Sequence, residues 1–111
     1  MCRFFVAGLG LLLLSGCAPH PAAGVWEPVE AAAPFTRIDV QFNGRADFFE
    51  PGNEKETLHC FWAAHSKDEA WMNCVPAEHT EHKIPYRLAT RGSEAVLEHE
   101  GKVVMRLRRV E

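Results

Sequence analysis

The sequence of this 111-residue chain predicts a small all-β domain, built as an antiparallel meander of about seven short strands. Apolar and polar residues alternate with a period of two through most of the chain after residue 36. Tight-turn residues recur about every 8–12 positions, and no convincing helical stripe of apolar residues occurs there. We expect the meander to form a closed or nearly closed barrel, because closure removes exposed strand edges, and a β-sandwich is the alternative.

The first hairpin is predicted around an Asn-Gly turn. Ile38, Val40 and Phe42 alternate with polar neighbours, which is typical of a half-buried strand. Asn43-Gly44 then favours a type I′ turn, since both residue types tolerate positive φ. The chain is expected to return as a strand over residues 45–50.

A second hairpin, centred on Lys67, contains two cysteines. Strands are predicted at about residues 56–65 and 70–75, and this register sets Cys60 directly opposite Cys74. Opposed side chains at a non-hydrogen-bonded pair lie within reach of a disulfide bond. The bond would close a loop of about 15 residues and would stabilise a small core by roughly 3 kcal/mol.

The remaining strands are predicted over residues 84–89, 94–99 and 102–110, separated by tight turns that contain glycine. The apolar positions expected to share the buried face of the last strand are Val103, Met105 and Leu107.

The N-terminus has the features of a secretory signal. Arg3 precedes an apolar run from Phe4 to Leu14, and small residues follow it before Cys17. The segment Leu14-Ser15-Gly16-Cys17 resembles the lipobox of bacterial lipoproteins. The resemblance implies cleavage before Cys17, attachment of a diacylglycerol to its sulfur, and acylation of the new amine by a fatty acid such as palmitate. The domains are then residues 1–16 (signal peptide), 17–23 (acylated cysteine and flexible tether) and 24–111 (one all-β domain).

The lipobox resemblance also implies a location. Ala18 follows the cysteine where an Asp would signal retention at the inner membrane, so the outer membrane, facing the periplasm, is expected. The apolar run is shorter than the roughly 20 residues of a spanning helix. Cleavage without lipidation would leave Cys17 as an unpaired thiol. In the oxidising envelope, the remaining pair of Cys60 and Cys74 is expected to be a disulfide.

The net charge of the mature chain narrows the range of partners that it is expected to bind. Loss of Arg3 with the signal peptide leaves 11 basic and 15 acidic side chains, a formal charge of −4. This mild acidity argues against nucleic acid and against an electrostatic attachment to anionic lipids. The predicted contact with the membrane is therefore the acyl group on Cys17.

A second resemblance concerns both ends of the domain. Gly24-Val25-Trp26 opens it, and its last strand carries Arg106, Arg108 and Arg109. This resembles the Gly-x-Trp opening of lipocalin-like (calycin) barrels, in which a late Arg packs over the Trp. The resemblance implies a β-barrel and, as one alternative, a carrier of a small apolar or lipid-like ligand.

Aromatic residues provide the best indication of a binding surface. Phe48-Phe49 and Phe61-Trp62 are adjacent pairs, and adjacent strand residues point to opposite faces. One member of each pair must therefore leave the core. The candidates for surface anchors are Phe49, Trp62 and Trp71, which in a carrier would instead line a cavity.

We therefore expect a non-enzymatic binding module that interacts with an envelope protein, or alternatively with a small apolar ligand. No nucleophile elbow, phosphate loop or suitably placed carboxylate pair predicts catalysis, and no cofactor is implied. A lysozyme-inhibitor-type protective lipoprotein is a third alternative, based on size and anchor but without that group's Tyr-x-Cys opening. His79 and His82 are weak metal-ligand candidates, and we expect them to be solvated loop histidines without metal.

Overall fold

The computed structural model describes residues 19–77 and 81–110, and it confirms the all-β fold. Eight antiparallel strands form a closed barrel, in which each strand pairs with the next and the last pairs with the first. Within the described residues, no helix is long and apolar enough to cross a bilayer. The strands are β1 (Gly24–Pro28), β2 (Arg37–Val40), β3 (Arg45–Phe49), β4 (Leu58–Ser66), β5 (Glu69–Pro76), β6 (Ile84–Arg91), β7 (Glu94–His99) and β8 (Lys102–Arg109).

The additional strand, β1, is formed by the Gly-x-Trp segment. Trp26 lies opposite Ile38 on β2 and opposite Arg109 on β8, so β1 closes the barrel between them. Its sequence, Gly-Val-Trp-Glu-Pro, does not alternate between apolar and polar residues, so periodicity did not predict it. The pairing of β1 with β8 also joins segments at opposite ends of the domain, which local periodicity does not report.

Side chains from all eight strands fill the barrel interior. Alternate residues of each strand point inward, as the period of a strand requires. Each strand contributes one inward side chain with no more than 3 % of its surface exposed. In chain order these are Trp26, Ile38, Phe48, Cys60, Met72, Leu88, Leu97 and Leu107. Because water does not reach these side chains, they are in contact with other protein atoms, and the barrel interior is a packed core.

The predicted disulfide is confirmed. Cys60 on β4 and Cys74 on β5 lie directly opposite each other in the register and are bonded. Both side chains point into the core and are buried. The bond thus links the two longest neighbouring strands inside the barrel wall.

A β-bulge changes the facing of residues in β8. Leu97 pairs with Met105, whereas Glu98 pairs with Val103, so Val104 is left without a partner. Val104 packs against the core, and Val103 is 61 % exposed. The expectation that Val103 shares the buried face is therefore wrong, because one extra residue in a strand reverses the facing beyond it.

The turn between β2 and β3 also differs from the expected type. The amide of Gly44 donates to the carbonyl of Gln41 at 3.3 Å, and Gly44 has a φ of 91° while Asn43 is not in the positive region. These features indicate a three-residue loop with a left-handed glycine, instead of a two-residue type I′ turn. Because the loop begins one residue earlier, Phe42 leaves the strand and is 72 % exposed.

Residues 20–23 pack across one end of the barrel. Ala22 and Ala23 are buried, and the indole nitrogen of Trp26 donates to the carbonyl of Ala22 at 2.9 Å. The folded domain thus begins by His20, earlier than the boundary predicted at residue 24. The predicted tether over residues 17–23 is replaced by a packed segment from residue 20 onward.

Candidate binding surface

Two exposed aromatic side chains lie on the outer face of β4 and β5. Phe61 is 71 % exposed and Trp71 is 54 % exposed. Phe61 lies opposite Asn73, and Trp71 lies opposite Ala63, so the two aromatic residues are diagonal neighbours on one face. Large side chains at such positions are within reach of each other. We refer to the outward-facing residues Phe61, Ala63, His65 and Trp71 as the aromatic wall.

His65 supports the aromatic wall from the end of β4. A register shift between Ala64 and Ser66 leaves His65 without a strand partner. Its imidazole stacks on the indole of Trp71, with ring centroids 4.0 Å apart and an angle of 16° between planes. His65 therefore covers one face of the Trp71 ring, which restricts the rotation of the indole.

A shallow groove of about 320 Å³ lies beside Trp71, between the outer faces of β5 and β6 and the turn that joins β7 to β8. At its charged edge, the guanidinium of Arg87 lies 2.9 Å from a carboxylate oxygen of Glu98 and 3.8 Å from one of Glu69. Two carboxylates thus compensate one cation. The residues that line the groove are Trp71, Met72, Asn73, Pro85, Tyr86, Arg87, Glu98, Glu100 and Gly101.

Tyr86 extends from the groove toward the barrel interior. Its ring lies 5.3 Å from that of Phe48 and 5.3 Å from that of His99, centroid to centroid. Burial, and to a lesser extent the nearby carboxylate of Glu50, raise the pKa of the Tyr86 phenol. The phenol is therefore neutral at physiological pH and can act as a hydrogen-bond donor.

Phe49, a predicted surface anchor, points outward and is half-buried. The guanidinium carbon of Arg37, which pairs with Phe49 across β2 and β3, lies 4.1 Å from the ring centroid. This cation–π contact covers one face of the ring, so Phe49 offers less free aromatic surface than the aromatic wall does.

Trp62, another predicted surface anchor, lies on the inner side. Its indole nitrogen donates to the carbonyl of Gln41 at 2.8 Å, and its side chain packs against the core. The outward member of this pair is therefore Phe61 and not the predicted Trp62. The facing of Cys60 could have shown this, since residues 60 and 62 share a face when the disulfide points inward.

The other predicted site residues have separate outcomes. Cys17, the predicted lipidation site, and His79 lie outside the described residues. His82 is exposed in the loop before β6. Nowhere in residues 19–77 and 81–110 do three or more His, Cys, Asp or Glu side chains form a cluster suited to a metal ion.

The two ends of the domain meet through Trp26 and Arg109. The guanidinium carbon of Arg109 lies 4.4 Å from the centroid of the Trp26 ring system. The same guanidinium donates to the carbonyl oxygens of Ala23, at 2.7 Å, and of Pro21. A single arginine on β8 thereby holds both the buried tryptophan and the segment that covers the barrel end.

Comparisons of the chain with models of known protein families, with curated proteins and with solved structures find no match. Function must therefore be inferred from the residues of this chain.

Proposed function

We propose that this chain is a lipid-anchored protein of the bacterial envelope, whose barrel is a non-enzymatic binding module for another envelope protein in the periplasm. The anchor is Cys17, acylated after removal of residues 1–16, and the outer membrane is its destination. The lipobox-like segment Leu14-Ser15-Gly16-Cys17 supports this part of the proposal.

The aromatic wall is the observation that carries the binding function. Phe61 and Trp71 each expose more than half of their surface, and other apolar side chains fill the core. Aromatic side chains are enriched at the centres of protein interfaces, where they contribute much of the binding energy. The groove beside Trp71 is open along its length, so it fits an apolar side chain presented by a partner's surface.

A carrier of a small apolar or lipid-like ligand is less well supported by the barrel. Ligand cavities usually enclose about 300–1,000 Å³ and surround most of the ligand. In this barrel, inward side chains such as Trp26, Phe48 and Leu88 have no surface that water reaches. A ligand would have to displace these side chains, at the cost of core packing.

The lipid anchor is tested by mass spectrometry of the full chain purified from bacterial membranes. We expect loss of residues 1–16 and the added mass of two or three acyl chains, and we expect C17A to lack both changes. A chain that carries no lipid when Cys17 is intact would refute the anchor.

The binding surface is tested by photocrosslinking in cells. A photoreactive phenylalanine analogue is placed at position 61 and, as a control, at position 29, which is exposed in the loop after β1 and does not line the groove. We expect a discrete adduct with one envelope protein from position 61 alone. With that partner purified, W71A should weaken binding by about tenfold or more, whereas V29A should leave it unchanged.

Several results would count against an interaction module. Equal adducts from positions 61 and 29, or equal binding by W71A and V29A, would remove the aromatic wall as the interface. A retained lipid-sized mass in the native mass spectrum of the barrel would favour the carrier. Inhibition of C-type lysozyme at micromolar protein would favour the protective alternative, and we expect neither.

A further inference from the structure

The alternation of strand directions places one set of turns at the same end of the barrel as the N-terminus. Because β1 to β8 run alternately up and down, the start of β1, the connections after β2, β4 and β6, and the end of β8 all share that end. We call this end the N-terminal rim. It consists of residues 20–23, 41–44, 66–68 and 91–93, together with Val110.

The chain is bound closely to the N-terminal rim where it enters the barrel. The imidazole Nε2 of His20 donates to the carbonyl of Ser66 at 2.7 Å, and the amide of Ala22 donates to the Nδ1 of His20 at 3.0 Å. With the contacts of Arg109 to Ala23 and Pro21, these bonds fix the path of residues 20–23. The barrel therefore has little freedom to move relative to His20.

The separation between the proposed anchor and the rim is short. Two residues lie between Cys17 and His20, so the two are three chain steps apart. A fully extended chain spans about 3.3–3.6 Å per residue, which separates them by at most about 11 Å. An acyl chain on Cys17 places that residue at the bilayer surface. Any lipid-anchored form of this protein thus keeps His20, where the chain joins the N-terminal rim, within about 11 Å of the bilayer surface.

Phe42 is the aromatic side chain that the rim presents. It lies in the turn between β2 and β3, and it is 72 % exposed. The turn is held by the amide of Gln41, which donates to the carbonyl of Arg45 at 2.8 Å, and by the Arg45 amide, which donates to the Asn43 side chain at 3.1 Å. An ordered backbone thus displays an apolar ring at the end of the barrel that the anchor brings to the bilayer.

The charged residues of the rim do not oppose contact with a membrane. Exposed basic side chains outnumber acidic ones there by four to two, so the charge of the rim favours contact with anionic lipid, and hydrophobic insertion would add to it. The exposed charged residues at or next to the rim turns are Arg45, Lys67, Asp68, Arg91, Glu94 and Arg108.

We propose that the N-terminal rim rests on the lipid bilayer and that the ring of Phe42 enters its interfacial layer. The proposal rests on the proposed lipid anchor at Cys17. Aromatic rings are favoured at the headgroup level, where an apolar body leaves water. The barrel axis then points away from the membrane, and the aromatic wall faces sideways into the periplasm, accessible to a partner.

The test uses the full lipidated chain in vesicles of phosphatidylethanolamine and phosphatidylglycerol that contain lipids with brominated acyl chains. Tryptophan emission is compared for the wild type, F42W and N53W; Asn53 is exposed in the loop between β3 and β4, at the opposite end of the barrel. Bromines in the acyl chains quench only indoles that enter the bilayer. We expect the added indole of F42W to lose about twofold or more of its emission and that of N53W to be unaffected.

The outcomes separate the orientation from the anchor. Equal quenching of F42W and N53W in protein whose acyl mass has been verified would overturn the orientation and leave the anchor intact. Protein without acyl mass would overturn both. Circular dichroism and urea unfolding of F42W and N53W establish that each variant is folded, and both positions are exposed in turns that should accept the ring.

Discussion

Arg109 is the residue whose replacement should reveal most about how the barrel closes. It is the last residue of β8, yet its side chain contacts the first strand and the segment that precedes that strand. Its guanidinium covers the Trp26 ring and donates to the carbonyls of Ala23 and Pro21. Replacement of Arg109 by alanine removes all three contacts without touching the remaining strands.

The expected loss can be worked out from these contacts. A partly buried cation–π contact contributes about 1–2 kcal/mol. A hydrogen bond from a charged donor contributes about 1.5–3 kcal/mol when buried. The bond to Ala23 is only partly buried and counts for somewhat less than this, and the exposed bond to Pro21 counts for little. R109A should therefore lower the free energy of unfolding by about 2–4 kcal/mol, a large part of the 5–15 kcal/mol typical of a domain.

The assay is urea unfolding of the soluble domain, monitored by tryptophan fluorescence. With a slope of about 1.5 kcal/mol per molar, the midpoint of R109A should fall by about 2 M. Arg108 offers a matched control, because it is the same residue type on the same strand but is exposed. R108A should change stability by less than about 0.5 kcal/mol. R109K should recover only part of the loss, because an ammonium lacks the planar fork.

Equal midpoints for R109A and R108A would refute the reasoning. In that case the two ends of the chain would be held by strand pairing alone. A full recovery by R109K would show that charge, rather than the geometry of the guanidinium, stabilises the closure.

Three further predictions concern the disulfide, the only tyrosine and the aromatic residues. Replacement of both Cys60 and Cys74 by alanine should lower the free energy of unfolding by about 3 kcal/mol, measured by urea unfolding under non-reducing conditions. Because its folded-state pKa is raised, Tyr86 keeps its proton in the barrel above about pH 10 while the unfolded chain loses it, so stability present below that pH should fall as pH rises through the folded-state pKa. Y86F should lack this alkaline loss, and absorbance at the tyrosinate band follows a single residue in the wild type. F61A should change stability by less than about 0.5 kcal/mol, whereas F48A, in the core, should cost about 3–5 kcal/mol; similar costs would contradict the outward placement of residue 61.

Local pattern was sufficient to predict most of the barrel. Strands alternate with a period of two, and one face of each strand is buried here, so positions such as Ile38 and Leu88 could be placed correctly. A hairpin centred on Lys67 placed Cys60 opposite Cys74 correctly, although in the structure Ser66 pairs with Glu69 and the register shift at His65 restores the predicted pairing. The approximate pairing of two strands in one hairpin is visible in a sequence, because a short turn brings neighbouring strands together.

The candidate binding surface was predicted only in part. Adjacent aromatic pairs showed that some rings must leave the core, and Trp71 is indeed exposed. Which member of the second pair faces outward depends on the parity of β4. That parity is set by the inward disulfide at Cys60, and it selects Phe61 over Trp62.

By itself, the sequence determined the β class, the approximate positions of seven of the eight strands, the disulfide and the presence of aromatic residues beyond the needs of the core. Tertiary structure alone decided the closure of β1 on β8, the packing of residues 20–23, the bulge that exposes Val103 and the stack of His65 on Trp71. The physical reason is the distance along the chain over which each kind of interaction acts. Alternation and turn chemistry act over a few residues, whereas closure and bulges balance contacts between segments that are distant in the chain, and only the folded barrel brings those segments together.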